Sequence, residues 1–336
     1  MSFISPEPQI KAKNPIFSII LGNTILSTIK GVSGAGPSPE KSVLVPNLDA
    51  ELVAYGRIES HPVSPNTATG CPTPSTITRS MMELTGIKPL FINAGLFHTP
   101  SVTCMDMYGE PGKDPRTEDA VPNAKSLFRR GVWLGKYLSV YSDMLILGEC
   151  VPGGTTTALC ILRALGYDAR VSSSYINNPS PLKEEIYRAA INRSGGQGKK
   201  GPIEMIQRCG DPMMAAAAGI AAGFSGNIIL AGGTQMLAVA AVIKILNLTL
   251  PEICTTVYVR DDKSASFVQT LNEIGAKAYY VDPDFGSGHH EGLKRYCMGE
   301  VKEGMGAGGA MMLAHLMGHS ENKIKSSIYG FIGSYH

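Results

Sequence analysis

Short apolar runs and longer helical patterns alternate along the chain. Six runs rich in Ile, Leu and Val have the length and composition of strands buried on both faces. They span residues 16–21, 89–93, 143–147, 227–230, 255–259 and 277–281. Apolar residues recur at helical spacing in segments 123–141, 155–165, 182–191, 213–224, 234–246 and 264–274. This alternation predicts an α/β fold with a doubly wound, mostly parallel, Rossmann-like sheet.

Binding residues in such a sheet lie at the carboxyl ends of the strands, in the loops that lead into the next helix. The segments that follow each predicted strand are therefore the first places to search for chemistry. The proline-rich segment 55–74 is predicted to be a loop, which either crosses between a helical subdomain and the sheet or lies on the surface.

The most apolar region, 213–246, raises the question of a membrane span. Its apolar residues are mostly Ala and Gly, and polar positions near 225–227 and 232–235 divide it into shorter pieces. Each piece is shorter than the ~20 residues that a bilayer requires. We expect a buried helix, strand and helix, and no membrane association.

Composition narrows the choice of partner and compartment. The 336 residues carry 30 Lys and Arg against 28 Asp and Glu, without the basic excess typical of nucleic-acid binding. The seven cysteines are scattered, with no Cys-x-x-Cys pair, which favours a reducing compartment over a disulfide framework or a cysteine-based metal site. Because residues 1–21 do not have the pattern of a signal peptide, we expect a cytoplasmic protein without a nucleic-acid partner.

A glycine-rich turn follows the predicted strand 143–147. Gly153 and Gly154 precede Thr155 and Thr156 at the start of an apolar helix. Backbone N–H groups and the positive end of the dipole at a helix start bind anions, and glycine lets a phosphate approach the backbone closely. The alternative is an ordinary capped turn without a ligand. No Lys follows the glycines, so the turn is not a Walker loop.

A second glycine cluster, 304–309, satisfies G-x-G-x-x-G but follows a charged, polar segment. It therefore lacks the strand that a dinucleotide-binding fingerprint requires. Gly304 and Gly306 can instead let the backbone pack beside a ligand, with Glu303 at their edge. A partly buried carboxylate there is a candidate general base. The alternative is a solvated Glu303 paired with Lys302 or Arg295.

Two other sites have weaker signals. His289, His290 and Glu291 are adjacent, but their spacing is not that of a zinc motif. The local sequence of Lys183, which is followed by two glutamates, is typical of a solvated surface lysine. We expect no metal site.

Five segments in order resemble the nicotinate-nucleotide:dimethylbenzimidazole phosphoribosyltransferase family, especially its divergent archaeal-type branch. Residues 148–156, GECVPGGTT, resemble the family's GEMGIGNTT, and residues 302–307, KEGMGA, resemble GEGSGA. Residues 31–33 resemble GVS, 201–204 resemble DPLE, and 210–216 resemble GGFDIAA. The position of Lys183, eight residues before Ile191, is similar to that of the family's phosphate-binding lysine.

The resemblance implies three layers, with a core sheet over about 16–285 and a small helical subdomain formed by 286–336 and part of the N-terminal half. One phosphoribosyltransferase-like unit would then span 1–336, without a cofactor and as a homodimer. The implied reaction transfers phosphoribose from nicotinate mononucleotide to an aromatic, benzimidazole-type base for the lower ligand of cobamides.

The resemblance also implies roles for individual residues. Glu303 would be the catalytic base, and Glu149 would hold the ribose or the cationic centre. The phosphate would bind at Gly153, Gly154, Thr155, Thr156 and Lys183, and the substrate pocket would include Gly304, Gly306, Gly232 and Gly233.

Some family elements are absent. The PxGSLG element is not found, and residues 22–24 and 231–232 replace the family's DHG and DG. The preferred base therefore stays open. A second function also stays open, namely a non-catalytic or regulatory nucleotide-binding protein of the same fold, and a dehydrogenase is a more distant alternative.

Overall fold

The buried apolar runs form one extended sheet in the computed structural model, which describes residues 2–36, 38–196, 198 and 200–334. The strands of this sheet are β1 (Ile4–Ser5), β2 (Pro15–Gly22), β3 (Leu90–Gly95), β4 (Cys104–Asp106), β5 (Met144–Cys150), β6 (Asn227–Ala231), β7 (Glu252–Thr256) and β8 (Ala278–Val281). Their spatial order is β1-β8-β7-β6-β5-β2-β3-β4.

The direction of winding reverses between β2 and β5. From β2 the chain proceeds outward through β3 and β4, returns to β5 on the other side of β2, and continues outward through β6, β7 and β8. Every neighbouring pair is parallel except β1 with β8. A crevice forms at such a switch point, outside the carboxyl ends of the central strands.

The helices cover both faces of the sheet. They are α1 (Val45–Tyr55), α2 (Pro74–Thr85), α3 (Ala124–Leu138), α4 (Gly154–Ala164), α5 (Ser180–Arg193), α6 (Pro202–Cys209), α7 (Pro212–Gly223), α8 (Thr234–Ile245), α9 (Val257–Arg260), α10 (Phe267–Ile274), α11 (Glu291–Cys297), α12 (Ala307–Leu316) and α13 (Glu321–Ser334). Ile25–Thr28 and Glu40–Leu44 form short 3-10 helices.

Alternate residues of each strand belong to separate apolar clusters. Leu145 and Leu147 of β5 pack with α3 to α8 and α10, whereas Met144 and Ile146 pack with α1, α2 and α11 to α13. Because side chains alternate across a strand, the two clusters lie on opposite faces. The predicted three-layer, doubly wound α/β fold is confirmed, while the division into core and terminal subdomain stays a prediction.

One predicted strand is wrong. The run 255–259 contains only the last two residues of β7, and its remainder belongs to α9, Val257–Arg260. The strand lies earlier because Ile253 and Cys254 pair with both β6 and β8, and the chain leaves the sheet after Thr256, which pairs with β8 alone. Strands β1 and β4 are too short, at two and three residues, to produce a periodic signal.

The apolar region 213–246 forms α7, β6 and α8, as predicted. Within the described part of the chain, no helix is long and apolar enough to span a bilayer.

Helices α3 and α7 approach each other through glycines. A methyl group on Gly219 would lie 2.2 Å from the carbonyl oxygen of Phe128, and one on Gly135 would lie 2.3 Å from that of Ile220. These distances are shorter than van der Waals contact, so only glycine permits the observed separation.

We expect Gly219→Ala to reduce the free energy of unfolding by about 1–3 kcal/mol, because the added methyl overpacks the α3–α7 contact. Gly330→Ala is the control, since Gly330 lies in α13 with open space around it. That change should stabilise by up to ~1 kcal/mol through helix propensity. Urea denaturation of both variants is the measurement, and equal stabilities would contradict the packing argument.

Candidate active site

A cavity of about 650 Å³ opens at the carboxyl ends of the central strands. The segments after β2, β5, β6 and β7 contribute to its wall, together with α1, the loop between α1 and α2, and the turn before α12. Its lining residues fall within 33–36, 41–49, 58–74, 149–155, 172–174, 233–235, 259 and 301–305. Glu303 and the glycine–threonine turn after β5 therefore border the same cavity.

Glu303 lies in a turn of unusual backbone conformation. Val301, Lys302 and Met305 all have positive φ angles, between 52° and 67°, a region that non-glycine residues rarely adopt. The Glu303 carboxylate accepts hydrogen bonds from Gly308 N at 3.2 Å and from Gly304 N at 3.2 Å. Burial raises the pKa of Glu303 to about 7, although the hydrogen bonds from these N–H groups lower it. The alternative of a solvated Glu303 paired with Lys302 or Arg295 is not what the structure shows.

Glu149 is the second carboxyl group of the cavity and lies near the end of β5, only 5% exposed. Its Oε2 accepts hydrogen bonds from Gln235 Nε2 at 2.6 Å and from Val151 N at 3.1 Å. Burial raises the pKa of Glu149 to about 8, and repulsion from Asp211 and Glu303 adds to the shift. Both cavity glutamates therefore hold a proton more strongly than a carboxyl group in water does.

The turn after β5 starts α4 as the sequence predicts. Gly153 has a φ of 80°, which favours glycine, and it lines the cavity together with Thr155. Gly154 packs against Gln235, and Thr156 is fully buried. Neither is a lining residue, so a direct contact of the Thr156 hydroxyl with a phosphate is not supported.

Lys183 is buried, with only 1% exposure, so its surface-like local sequence is misleading. Its Nζ donates hydrogen bonds to Thr155 Oγ1 at 2.9 Å and to the Ser172 carbonyl at 2.6 Å. Burial lowers the pKa of Lys183 to about 7, and repulsion from Lys302 adds to this shift. The ammonium thus lies directly behind two residues that line the cavity.

The remaining predicted pocket glycines differ in position. Gly233 and Gly304 line the cavity. A methyl group on Gly232 would lie 3.6 Å from Glu149 Oε1, and one on Gly306 would lie 3.1 Å from the Gly148 Cα. Gly232 and Gly306 therefore lie behind the lining residues, where the lack of a side chain lets Glu149 and β5 pack closely.

Several lining groups were missed from the sequence. Gln235 holds Glu149, the Ser172 carbonyl accepts from Lys183, and Lys302 donates to the Ser173 carbonyl at 2.7 Å. Asp49 was missed as well, although it shares one face of α1 with the apolar residues Val45 and Leu52, a spacing that indicates a buried carboxylate.

The loop 57–73 joins α1 to α2 and contributes to the cavity wall. Two carboxylates hold it. Glu51 accepts from the backbone N–H groups of Glu59 and Ser60 at 2.7 and 2.9 Å, and Glu300 accepts from the Thr67 hydroxyl at 2.7 Å. Since Glu300 is close in sequence to Glu303, this loop is tied to the turn that carries the candidate base.

The histidine pair lies elsewhere. His290 caps α11 by accepting from Leu293 N at 3.2 Å, and His289 is not a lining residue of the cavity. In the part of the chain that the structure describes, no group of three or more His, Cys, Asp or Glu side chains could hold a metal ion.

Sequence comparison assigns the family. The chain is 43% identical to the UPF0284 protein of Methanosarcina acetivorans over 98% of its own length and 97% of the relative's. It belongs to the UPF0284 family. The member from Thermococcus kodakarensis is 42% identical over 93% of this chain and 95% of its own, and that from Methanothermobacter thermautotrophicus is 38% identical over 94% and 92%. No family model matches the chain.

Among solved structures, this UPF0284 chain is similar to the nicotinate-nucleotide-dimethylbenzimidazole phosphoribosyltransferase of Thermus thermophilus. The TM-score is 0.60 over 95% of this chain and 84% of the other, at 14% sequence identity. A second structure, CobT from the same organism, gives a TM-score of 0.59 at 13% identity. The fold implied by the sequence resemblance is confirmed, and identity this low supports no more than the fold.

We expect Glu149→Gln to change the pH dependence of stability. The folded-state pKa of Glu149, about 8, is above the ordinary value of 4.5, so folding favours the protonated form and wild-type stability falls as pH rises from 4.5 to 8. Gln cannot ionise, and the variant should become progressively more stable than wild type over this range. Melting temperatures of both proteins between pH 5 and about 8 are the measurement. The exposed Glu185→Gln is the control, and a pH-independent difference for Glu149→Gln would contradict the shift.

Proposed function

We propose that this protein transfers phosphoribose from nicotinate mononucleotide to a benzimidazole-type base, which gives an α-ribazole phosphate and nicotinate. The observation that carries the proposal is that Glu303 and the turn containing Gly153 and Thr155 line one cavity. An anion-binding turn and a carboxyl group of raised pKa therefore face the same ligand volume. The shared fold with a phosphoribosyltransferase of that substrate class adds support.

The phosphate would bind at the start of α4. Gly153 lets the phosphate approach the backbone, and the helix dipole favours its negative charge. Lys183 donates to Thr155 Oγ1, which leaves the hydroxyl proton of Thr155 free to point at a phosphate oxygen. The positive charge of Lys183 then lies one hydroxyl away from the anion, and the phosphate in turn favours the charged form of Lys183.

The chemistry requires one proton acceptor. The bond between ribose C1′ and the pyridinium nitrogen breaks, and its electron pair neutralises that nitrogen, so the leaving group needs no acid. A nitrogen of the incoming base attacks C1′ from the opposite face, and the base loses its N–H proton to Glu303. With a pKa of about 7, Glu303 is both substantially ionised and basic enough at neutral pH.

Glu149 would perform a different task. Burial and the negative charges of Asp211 and Glu303 raise the pKa of Glu149 to about 8, which favours the protonated form at neutral pH. The proton would lie on Oε1, because Oε2 accepts hydrogen bonds from Gln235 and Val151. Its Oε1 can then donate a hydrogen bond to a ribose hydroxyl. Environments that separate the pKa values of two carboxyl groups are a general means of assigning different roles to them.

We expect Glu303→Gln to reduce turnover roughly 10²- to 10⁴-fold, with little change in nucleotide affinity, because the amide keeps the shape but cannot accept the proton. Product formation from nicotinate mononucleotide and a panel of benzimidazoles and purines, followed by chromatography, is the measurement. The exposed Glu185→Gln should behave like wild type. Wild-type rates for Glu303→Gln would remove Glu303 as the base.

Lys183→Met should weaken binding of nicotinate mononucleotide by about 1–3 kcal/mol, the usual range for loss of a charged hydrogen-bonding group. Met keeps the buried volume, and the exposed Lys323→Met in α13 is the control. Titration calorimetry is the measurement, and unchanged affinity would assign Lys183 a structural role only.

The assay with the panel of benzimidazoles and purines also tests the second function that the sequence left open. Tight binding of the nucleotide without product from any base would favour a non-catalytic nucleotide-binding protein. A homodimer also stays an expectation, for which sedimentation gives the direct measurement.

A further inference from the structure

Asp49 is a buried carboxyl group in the cavity that the chemistry above does not use. It lies in α1, is 8% exposed, and lines the cavity beside Val45 and Leu48. The loop 57–73 adds Ile58 and Val63 to the lining. This carboxyl group therefore belongs to a wall whose other members include several apolar side chains.

The two oxygens of Asp49 have unequal surroundings. Oδ1 accepts hydrogen bonds from Ser75 Oγ at 2.7 Å and from Thr73 Oγ1 at 3.4 Å. Among the described residues, the partner of Oδ2 is the Cys150 thiol at 3.8 Å, and a thiol is a weak donor. A buried carboxylate oxygen without a strong donor is costly, and a ligand that supplies one would relieve that cost.

Asp49 and Glu303 are connected through Pro74. A methyl group on Gly304 would lie 3.2 Å from Pro74 Cγ, so the turn that carries Glu303 packs on Pro74. The residues on either side of Pro74, Thr73 and Ser75, hold Asp49. The two carboxyl groups thus flank one proline, which is itself a lining residue and provides a flat apolar surface.

We propose that Asp49 selects the acceptor base and that the preferred base carries a hydrogen-bond donor, such as an amino or hydroxyl group, on the edge opposite its attacking nitrogen. The base would lie against Pro74, with its N–H at Glu303, its other ring nitrogen free to attack C1′, and its donor group at Asp49 Oδ2. This inference rests on the proposed phosphoribosyl transfer. It differs from simple apolar recognition, in which alkyl substituents on that edge would be preferred.

The protonation of Asp49 agrees with this role. Burial raises the pKa of Asp49 to about 6, while the bonds from Ser75, Thr73 and Cys150 lower it. The group therefore remains ionised at neutral pH and acts as an acceptor. A site that hydrogen-bonds a polar substituent rejects the analogue lacking it more strongly than an apolar pocket discriminates by size.

The test offers two bases of nearly equal shape in competition: a benzimidazole with an amino group on its six-membered ring and the corresponding methyl-substituted benzimidazole. The ratio of the two products gives the ratio of kcat/KM values directly. For the wild type we expect a preference of about 10- to 100-fold for the amino base, the factor associated with an unpaired buried polar group. Asp49→Leu should abolish or reverse the preference, Asp49→Asn should reduce it, and the exposed Asp168→Asn should leave it unchanged.

The outcomes separate this inference from the proposed reaction. If wild type and Asp49→Leu give the same product ratio while both melt cooperatively, Asp49 does not select the base although the transfer reaction stands. If Asp49→Leu does not fold, the product ratio of the nearly isosteric Asp49→Asn decides the question. If neither the wild type nor any variant forms product, the binding of each base to protein saturated with nicotinate mononucleotide is measured by calorimetry instead. Equal wild-type affinities for the two bases would then overturn the role of Asp49, whereas an amino preference lost in Asp49→Leu would support it.

Discussion

The candidate site depends on a direct backbone contact between the central strand and the turn before α12. Met305 N donates to the Glu149 carbonyl at 3.0 Å, and a methyl group on Gly148 would lie 3.0 Å from the Gly306 Cα. Only a strand and a turn that both carry glycine at this point can come so close. The contact brings residues more than 150 positions apart in sequence together and places Glu149 and Glu303 in one cavity.

Positive φ angles at Val301, Lys302 and Met305 accompany this contact. Such conformations are unfavourable for side chains with a Cβ, at a cost of roughly 1–3 kcal/mol each. They persist because the surroundings fix the turn. Thr256 Oγ1 donates to the Lys302 carbonyl at 2.7 Å, and Thr78 Oγ1 donates to the Met305 carbonyl at 3.0 Å. The end of β7 and helix α2 therefore hold the turn that carries Glu303 in place.

Burial also sets the electrostatic character of the cavity. The same loss of water that raises the pKa values of Asp49, Glu149 and Glu303 lowers that of Lys183. Four groups that would be fully charged in water at pH 7 therefore have pKa values close to neutrality. Lys183 lies behind one part of the cavity wall and the carboxyl groups lie along another, so the proposed ligand, which joins a phosphate to a cationic ring, would meet groups of opposite charge at its two ends.

The sequence by itself determined the fold class and the positions of two glycine-rich turns. The apolar runs had to be buried on both faces, and helical segments between them required parallel strands, so the layers followed from periodicity. The turns at Gly153 and Gly304 could be identified as candidate binding segments, because an anion site and a close backbone approach would each demand particular residue types locally. Only the tertiary structure decided the rest. Lys183 has the sequence context of a surface residue, and the helical spacing of Asp49 indicates burial without showing what surrounds it, since the surroundings depend on which distant segments pack over a side chain. The shifted pKa values and the proximity of Glu303 to Glu149 also come from the tertiary structure, because both arise from contacts between residues far apart in the chain.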